Sequence, residues 1–300
     1  MALSAALVHQ LNKLARVSLA DVPLVPLPRA LDALDPRMCQ QRSEQWFHQR
    51  RGHLTASRFH HALGFGSPLQ RREALNALRG DAHQEAAFAS DAFTVCQNGS
   101  AWGHQFERSA LATYLTAFVL PRSAGARLHE TGFWPCAPHP SGLLIGASPD
   151  ALLEDDNDVF GAGGVVLEVK CPYGGGVPRA QGRVHARQMP QLQGAMLATG
   201  RSQCHLVTWS PSGAAIYAVL ADTMFQEAMV ETMATAASAA REERQLTPTE
   251  RVQAAQVRLW SRQLASDAAM LTTIDAHRCV MLQPEDEAGS AQAASTAAVL

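Results

Sequence analysis

The sequence has no apolar run long enough to cross a bilayer, which takes about 20 consecutive residues. Its six cysteines are scattered, without a CxxC pair or another of the close spacings that zinc sites use. Charged residues make up only 17% of the 300 positions, and apolar residues make up 47%. These features predict a globular protein of one or two domains that has no membrane contact and keeps its thiols reduced inside the cell.

Acidic residues are absent from one long interval, between Glu168 and Asp222. Because the net charge of −2 gives no bulk attraction to nucleic acid, DNA binding requires basic residues segregated onto one face. The interval meets this requirement, and so does the segment "QRSEQWFHQRRGHLTASRFHH" at 41–61, which has four arginines and four histidines against one glutamate. Either run alone is also typical of a solvated surface. The basic residues of the first interval are Lys170, Arg179, Arg183, Arg187 and Arg201.

The N-terminal segment also lacks acids over its first twenty residues, and Leu3, Leu7, Leu11 and Leu14 fall on one side of a helix. An ordinary surface helix explains this pattern better than an organelle-targeting helix, and the compartment stays open. Four prolines within 21–36 then predict an extended linker. We therefore predict an extension and linker at 1–40, a folded domain at 41–270 and a low-complexity tail at 271–300.

Periodicity and turn residues predict the order of helices and strands within the folded domain. Helices are predicted at 55–64, 69–79, 98–118 and 184–199, followed by two more that are split near Pro248. Strands are predicted at 126–135, 142–153, 164–170, 203–209 and 214–220.

Strand 164–170, "GVVLEVK", carries the first chemical signal. Glu168 and Lys170 are two residues apart, so both side chains point to the same face of a strand that otherwise reads as buried. Burying charge is costly unless the charge is paired or binds metal. For the tripeptide Glu168-Val169-Lys170 alone, an ion pair at a strand end is the simpler interpretation.

Asp150 changes that interpretation, since it lies in the Ser-Pro-Asp turn of "LLIGASPDALL". A hairpin through "LEDDNDVFGAGG" brings Asp150 alongside Glu168, and two converging carboxylates suit Mg²⁺. With Lys170 placed to hold or deprotonate water, this group is typical of phosphodiester hydrolysis. Glu107, in the helix at 98–118, and Gln191 have no such meaning on their own.

Several ordered blocks resemble a known family, the lambda exonuclease-like and YqaJ-type viral recombinase nucleases of the PD-(D/E)xK superfamily. The blocks are "WFHQRRGHLTASRF", "GHQFE", "GASPDALL", "LEVKCPYG" and "QLQGAMLATG". The resemblance covers about residues 42–235. It implies an α/β fold with a restriction-endonuclease-like core, in which helices flank a central mixed β-sheet.

The resemblance also implies roles for individual residues. Asp150 and Glu168 would bind the metal together with the backbone carbonyl of Val169. Lys170 would be the catalytic lysine, with Glu107 as an additional acid near the metals and Gln191 beside the lysine. The implied ion is Mg²⁺, with Mn²⁺ as a substitute.

DNA contacts are implied for a further set of residues. Arg58 and Ser148 would grip the phosphate at a 5′ end, supported by Ser57 and Thr55. Arg179, Arg183 and Arg187 are spaced four apart, which predicts a basic stripe along one helical face that tracks the DNA backbone.

These roles together predict a Mg²⁺-dependent exonuclease that degrades one strand of a double-stranded DNA end in the 5′ to 3′ direction, in recombination or repair. The resemblance makes a homotrimer and a single-strand annealing protein candidate partners. Two alternatives stay open. One is an endonuclease or repair nuclease of the same fold, and the other is a non-catalytic DNA-binding recombination scaffold.

Overall fold

The computed structural model describes residues 5–17, 24–26, 37, 39–76, 78, 100–174 and 177–282. In these ranges no helix has both the length and the apolar character that membrane crossing requires. The helices are α1 Ala5–Asn12, α2 Glu44–Arg50, α3 Ala56–Ala62, α4 Pro68–Asn76, α5 Ser100–Tyr114, α6 Met189–Thr199, α7 Thr223–Arg241 and α8 Pro248–Asp267.

The strands fall into one large sheet and three small ones. They are β1 Ala15–Val17, β2 Leu24–Pro26, β3 Leu54–Thr55, β4 Arg127–Glu130, β5 Trp134–Pro135, β6 Ile145–Ala147, β7 Ala151–Glu154, β8 Val165–Lys170, β9 Tyr173–Gly174, β10 Val177–Pro178, β11 Gln203–Ser210, β12 Gly213–Leu220, β13 Ala269–Asp275 and β14 Val280–Leu282. The large sheet has the order β13-β12-β11-β8-β7-β4-β2. Its β8–β11 and β2–β4 pairs are parallel and the other pairs are antiparallel, which confirms the predicted mixed sheet.

Helices cover both faces of this sheet, because its central strands are apolar on both sides. Helix α5 packs on one face, where Phe106 and Leu111 join Leu167 of β8 in a buried cluster. Helices α3, α6 and α7 pack on the other, where Phe59 and Leu192 join Val166. Glu168 alternates onto the second face, so the α3 and α6 side of β8 is where the charged residues emerge.

The ends of the predicted domain differ from the structure. Strand β13 extends into the predicted tail and β14 lies within it, so ordered structure continues past residue 270 to Leu282, and 283–300 lie outside the described ranges. Strand β1 pairs in parallel with β14, and Leu11 and Leu14 are buried in the α5 cluster. Within the predicted linker, β2 forms the edge of the large sheet, and most of the remaining linker lies outside the described ranges.

The predicted basic stripe is wrong as a helical face. Arg179 and Arg183 lie in irregular backbone, and Arg187 lies in a short 3₁₀ turn at Ala186–Gln188 that precedes α6. The helix begins only at Met189, with Pro190 in its first turn. A spacing of four aligns side chains only where the backbone is helical, so these three arginines share no helical face.

Candidate active site

The β7–β8 hairpin brings Asp150 beside Glu168, as the sequence predicted. Ala151 pairs with Leu167, and the Asp150 amide donates to the Leu167 carbonyl at 3.1 Å. The Asp150 carboxylate in turn accepts from the Val169 amide at 2.6 Å. The backbone of β8 therefore fixes the Asp150 side chain at the end of the strand where Glu168 and Lys170 lie.

The acidic loop of the hairpin lies away from this group. It joins the far ends of the two strands, and β8 spans about 20 Å at the usual rise of a strand. Asp155 is occupied within the loop, where its carboxylate accepts from Ser123 and from the amides of Asn157 and Val159. Its negative charge is thus kept at the opposite end of the hairpin.

Glu168 is the centre of the site and is only 3% exposed. One of its oxygens accepts from Lys170 Nζ at 2.5 Å and from the Gln191 side-chain amide. Burial raises the pKa of Glu168, although Lys170 opposes the shift. Burial lowers the pKa of Lys170, but the charges of Glu168 and Asp150 outweigh it and the net shift is upward, so the ammonium stays protonated.

Asp150 experiences the strongest electrostatic conflict. Burial, and then the charges of Glu168 and Glu107, raise the pKa of its carboxyl well above the ordinary value. Like charges held together in this way are stabilised by a cation between them. A divalent ion fits these hard oxygen donors, since Mg²⁺ binds through one or two carboxylates and completes its shell with water or phosphate oxygens.

Few protein side chains are available to bind a metal ion in this group. Across the described ranges, no three His, Cys, Asp or Glu side chains cluster closely enough to hold a metal on their own. The Val169 carbonyl and water would therefore have to supply the remaining ligands beside Asp150 and Glu168.

Glu107 reaches the same cleft from α5 but is held by two basic side chains. Arg42 Nη2 donates to the Glu107 carboxylate at 2.8 Å and lies 2.7 Å from His104 Nδ1. Burial raises the pKa of Glu107, but hydrogen bonding to His104 and the charge of Arg42 outweigh it, and the net shift is downward. Glu107 is thus an ionised carboxylate whose charge Arg42 already balances.

A cleft of about 730 Å³ joins these groups and most of the other predicted residues. The predicted residues that line it are Thr55, Ser57, Glu107, Ser148, Asp150, Glu168, Val169, Lys170, Arg187 and Gln191. Arg58 and Arg183 do not line it. We refer to this space as the catalytic cleft.

Residues 45–202 match the family model of the YqaJ-like viral recombinase domain, and this match spans more than half of the chain. The chain belongs to the YqaJ-like viral recombinase domain family. This confirms the family that the motifs resembled.

The solved structures similar to the YqaJ-like chain include the alkaline exonuclease LHK-Exo from Laribacter hongkongensis and LHK-Exo in complex with dAMP. Both are 22% identical in sequence, with TM-scores of 0.42 and 0.43, respectively. In each case the match covers 75% of this chain and 99% of the other. No curated protein matches the sequence significantly.

The YqaJ-like domain places Arg50, rather than Arg58, in the catalytic cleft. The Arg50 guanidinium lies 3.7 Å from the centre of the Trp46 ring, and Trp46 Nε1 donates to Ser148 Oγ at 3.0 Å. Arg58 is half-buried and lies close enough to His61 to help lower its pKa, after the larger effect of burial. Arg58 therefore does not line the cleft, and its predicted role at the phosphate stays a prediction.

The spacing of residues in the sequence, rather than its composition, could have indicated Arg50 as a site residue. Trp46 and Arg50 are four residues apart on α2, which places both side chains on one helical face. Arg42, Gln41 and Tyr173 also line the cleft and were not predicted as site residues. They lie on loops or at strand ends, where no periodic pattern indicates which way a side chain points.

Proposed function

We propose that this chain is a divalent-metal-dependent deoxyribonuclease that hydrolyses one strand of a double-stranded DNA end in the 5′ to 3′ direction, in recombination or repair. The observation that carries the proposal is the convergence of Asp150 and Glu168 with Lys170 in an open cleft. A non-catalytic scaffold has no need for an acid pair that repels phosphate.

Asp150, Glu168 and the Val169 carbonyl would hold Mg²⁺ or Mn²⁺. When bound, the ion supplies Lewis-acid stabilisation of the developing charge on the phosphate, an effect worth several kcal/mol. Lys170 donates hydrogen bonds and is placed to hold the attacking water, because its raised pKa makes it a poor base. The Gln191 amide holds the Glu168 carboxylate in one orientation.

We assign recognition of the DNA end to the part of the catalytic cleft that is lined by Trp46, Arg50 and Ser148. Stacking on Trp46 fixes the plane of the Arg50 guanidinium, and the fork of N–H donors on an arginine matches two phosphate oxygens. Ser148 and Ser57 line the same cleft and supply hydroxyl donors. Arg187, exposed at the mouth, is suited to a neighbouring phosphate of the strand. A homotrimer and an annealing partner stay predictions.

The test is digestion of linear duplex DNA, 5′-phosphorylated or 5′-hydroxyl, beside a closed circle, with Mg²⁺ or with EDTA. Lys170→Ala should abolish digestion, whereas Lys13→Ala, which changes the only other lysine of the sequence, should leave it intact. Cutting of the circle would favour an endonuclease. DNA binding without cutting in the wild type would favour the scaffold.

A second variant tests end recognition separately from chemistry. Arg50→Ala should remove the preference for a 5′-phosphate, with a loss on the order of 10-fold to 100-fold on that substrate, because one charge-assisted hydrogen-bonding group is lost. Digestion of the 5′-hydroxyl duplex should change much less. An equal loss on both substrates would contradict a role in end recognition.

A further inference from the structure

A second cleft, of about 650 Å³, lies at the opposite end of α3 from the catalytic cleft. It is bounded by the turn after α3, by α4, by the end of α7 and by the start of α8. No aspartate or glutamate is among the described residues that line it. Five arginines line it, and we call it the arginine cleft. They are Arg71, Arg72, Arg244, Arg251 and Arg258.

Part of this arginine set has a structural role. Arg71 Nε donates to the Ala62 carbonyl at 3.1 Å, and Arg258 Nη1 donates to the Leu63 carbonyl at 2.9 Å, so both satisfy carbonyls at the end of α3. Arg244 is neutralised by two ion pairs, with Glu242 at 2.7 Å and with Glu250 at 2.8 Å. The two ion pairs therefore neutralise the charge of Arg244. The hydrogen bonds of Arg71 and Arg258 each use only one N–H donor of the guanidinium.

The other four arginines form no ion pair with the residues that the structure describes. No carboxylate in the described ranges lies within ion-pair distance of Arg71, Arg72, Arg251 or Arg258. Burial, and then the charge of Arg258, lower the pKa of Arg71, as expected for two half-buried guanidinium groups that line the same cleft. Like charges gathered in a partly desolvated cleft are stabilised by a bound anion.

The shape of the cleft suits a ligand larger than a single small ion. Its floor is apolar and formed by Leu75, Ala239, Leu246 and Ala254, with the arginines above it. Gly64 leaves room for Arg258, since a Cβ at this position would lie 3.2 Å from Arg258 Nη1. An apolar floor under several guanidinium groups can accept a sugar or base together with phosphate.

We propose that the arginine cleft is a second phosphate-binding site, distinct from the catalytic cleft. Its ligand is either a phosphate of the DNA strand or a free nucleotide, which have the same anionic chemistry. Helix α3 contributes to the catalytic cleft and ends next to the arginine cleft, and its seven residues span about 10 Å, which corresponds to about three base pairs of duplex. Only the DNA source rests on the proposed function.

The experiment measures binding rather than cleavage. Arg72→Glu and Arg251→Glu are suitable variants, because both side chains are exposed and neither guanidinium makes a hydrogen bond or ion pair with the part of the chain that the structure describes. Arg262→Glu is the matched control, since it makes the same charge change at an exposed position of α8 outside the arginine cleft. The probes are inorganic pyrophosphate, followed by calorimetry, and a fluorescent duplex in EDTA, followed by anisotropy at several salt concentrations.

We expect each cleft variant to weaken the binding of at least one probe by about 5-fold or more relative to Arg262→Glu. If the ligand is the DNA strand, duplex binding weakens and its salt slope falls by about 1 for each lost phosphate contact. If the ligand is a free nucleotide, pyrophosphate binding weakens and duplex binding does not. Binding of both probes equal to that of Arg262→Glu would overturn the proposal, and the Lys170→Ala digestion would be unaffected by that outcome.

Discussion

The two ends of helix α3 carry opposite arrangements of charge. At its start, the catalytic cleft places three carboxylates around Lys170 and Arg42, and at its end the arginine cleft places guanidinium groups together over an apolar floor. Both arrangements are unfavourable in the isolated protein, because like charges repel where water is partly excluded. This difference is what we expect if the first end binds a cation and the second binds an anion, as proposed.

Asp150→Asn should have the largest effect. If Asp150 binds the metal as proposed, this change should reduce the proposed nuclease activity by at least about 1000-fold, since several kcal/mol of transition-state stabilisation would be lost. The same change should raise stability in EDTA by about 1 kcal/mol, because the amide oxygen still accepts from Val169 and no longer repels Glu168. Thermal unfolding and digestion assays check the two effects.

Its control is Glu227→Gln, which neutralises an exposed carboxylate on α7. This control should change neither activity nor stability measurably. A loss of stability in Asp150→Asn without metal would contradict the view that the Asp150 carboxylate destabilises the metal-free protein.

Ligand-induced stabilisation should separate the two clefts. Mg²⁺ at about 100 times its dissociation constant should stabilise the wild type by about 2.7 kcal/mol, measured by thermal unfolding. Asp150→Asn should lose this shift, and Arg251→Glu should keep it. Stabilisation by pyrophosphate should be lost in Arg251→Glu and kept in Asp150→Asn. If Mg²⁺ still stabilises Asp150→Asn, the cation binds elsewhere.

Gly64→Ala should have a smaller effect, confined to the arginine cleft. Gly64 has a φ of +82°, where an L side chain is strained, and a Cβ there would crowd Arg258. We expect a loss of about 1 kcal/mol of unfolding free energy, measured by denaturant titration. Gly182→Ala, where a Cβ would meet nothing within 4 Å, should be nearly neutral, and an equal loss in both variants would argue against crowding.

The effect that is smallest at neutral pH concerns His60, which lies on α3 between the two ends. Burial, and then the charges of His61, Arg187 and Lys170, lower the pKa of His60 to about 4 from its ordinary 6.5. The folded state therefore binds fewer protons than the unfolded state between these values, and stability should fall as pH is lowered through this window. His60→Gln should flatten that dependence, and the exposed His277→Gln should not, as followed by unfolding at pH 4 to 7.

The charged centre was predictable because its determinants are local. The two-residue period of β8 places Glu168 and Lys170 on one face, and a short hairpin brings Asp150 to them. The neighbours Ser57 and Arg58 point in different directions, because adjacent residues on a helix differ by about 100°. Ser57 therefore faces the catalytic cleft, and Arg58 does not.

The sequence patterns did not predict the pairing of strands that are far apart in the chain. The alternation in "AMLTTID" at 269–275 is compatible with a strand, but its Ala-rich surroundings favoured a tail. Nothing local in 280–282 indicates a partner at 15–17, because parallel pairing across almost the whole chain leaves no turn signal. Arg187 reaches the catalytic cleft through a 3₁₀ turn, which a spacing rule for α-helices cannot anticipate.

The pairing of β1 with β14 has a mechanical consequence. Because the two strands are parallel, a pull on the chain before Ala15 and after Leu282 acts at opposite ends of the pair. The hydrogen bonds between them would be loaded together in shear rather than opened one at a time. This short strand pair would therefore resist forces that pull Ala15 and Leu282 away from each other.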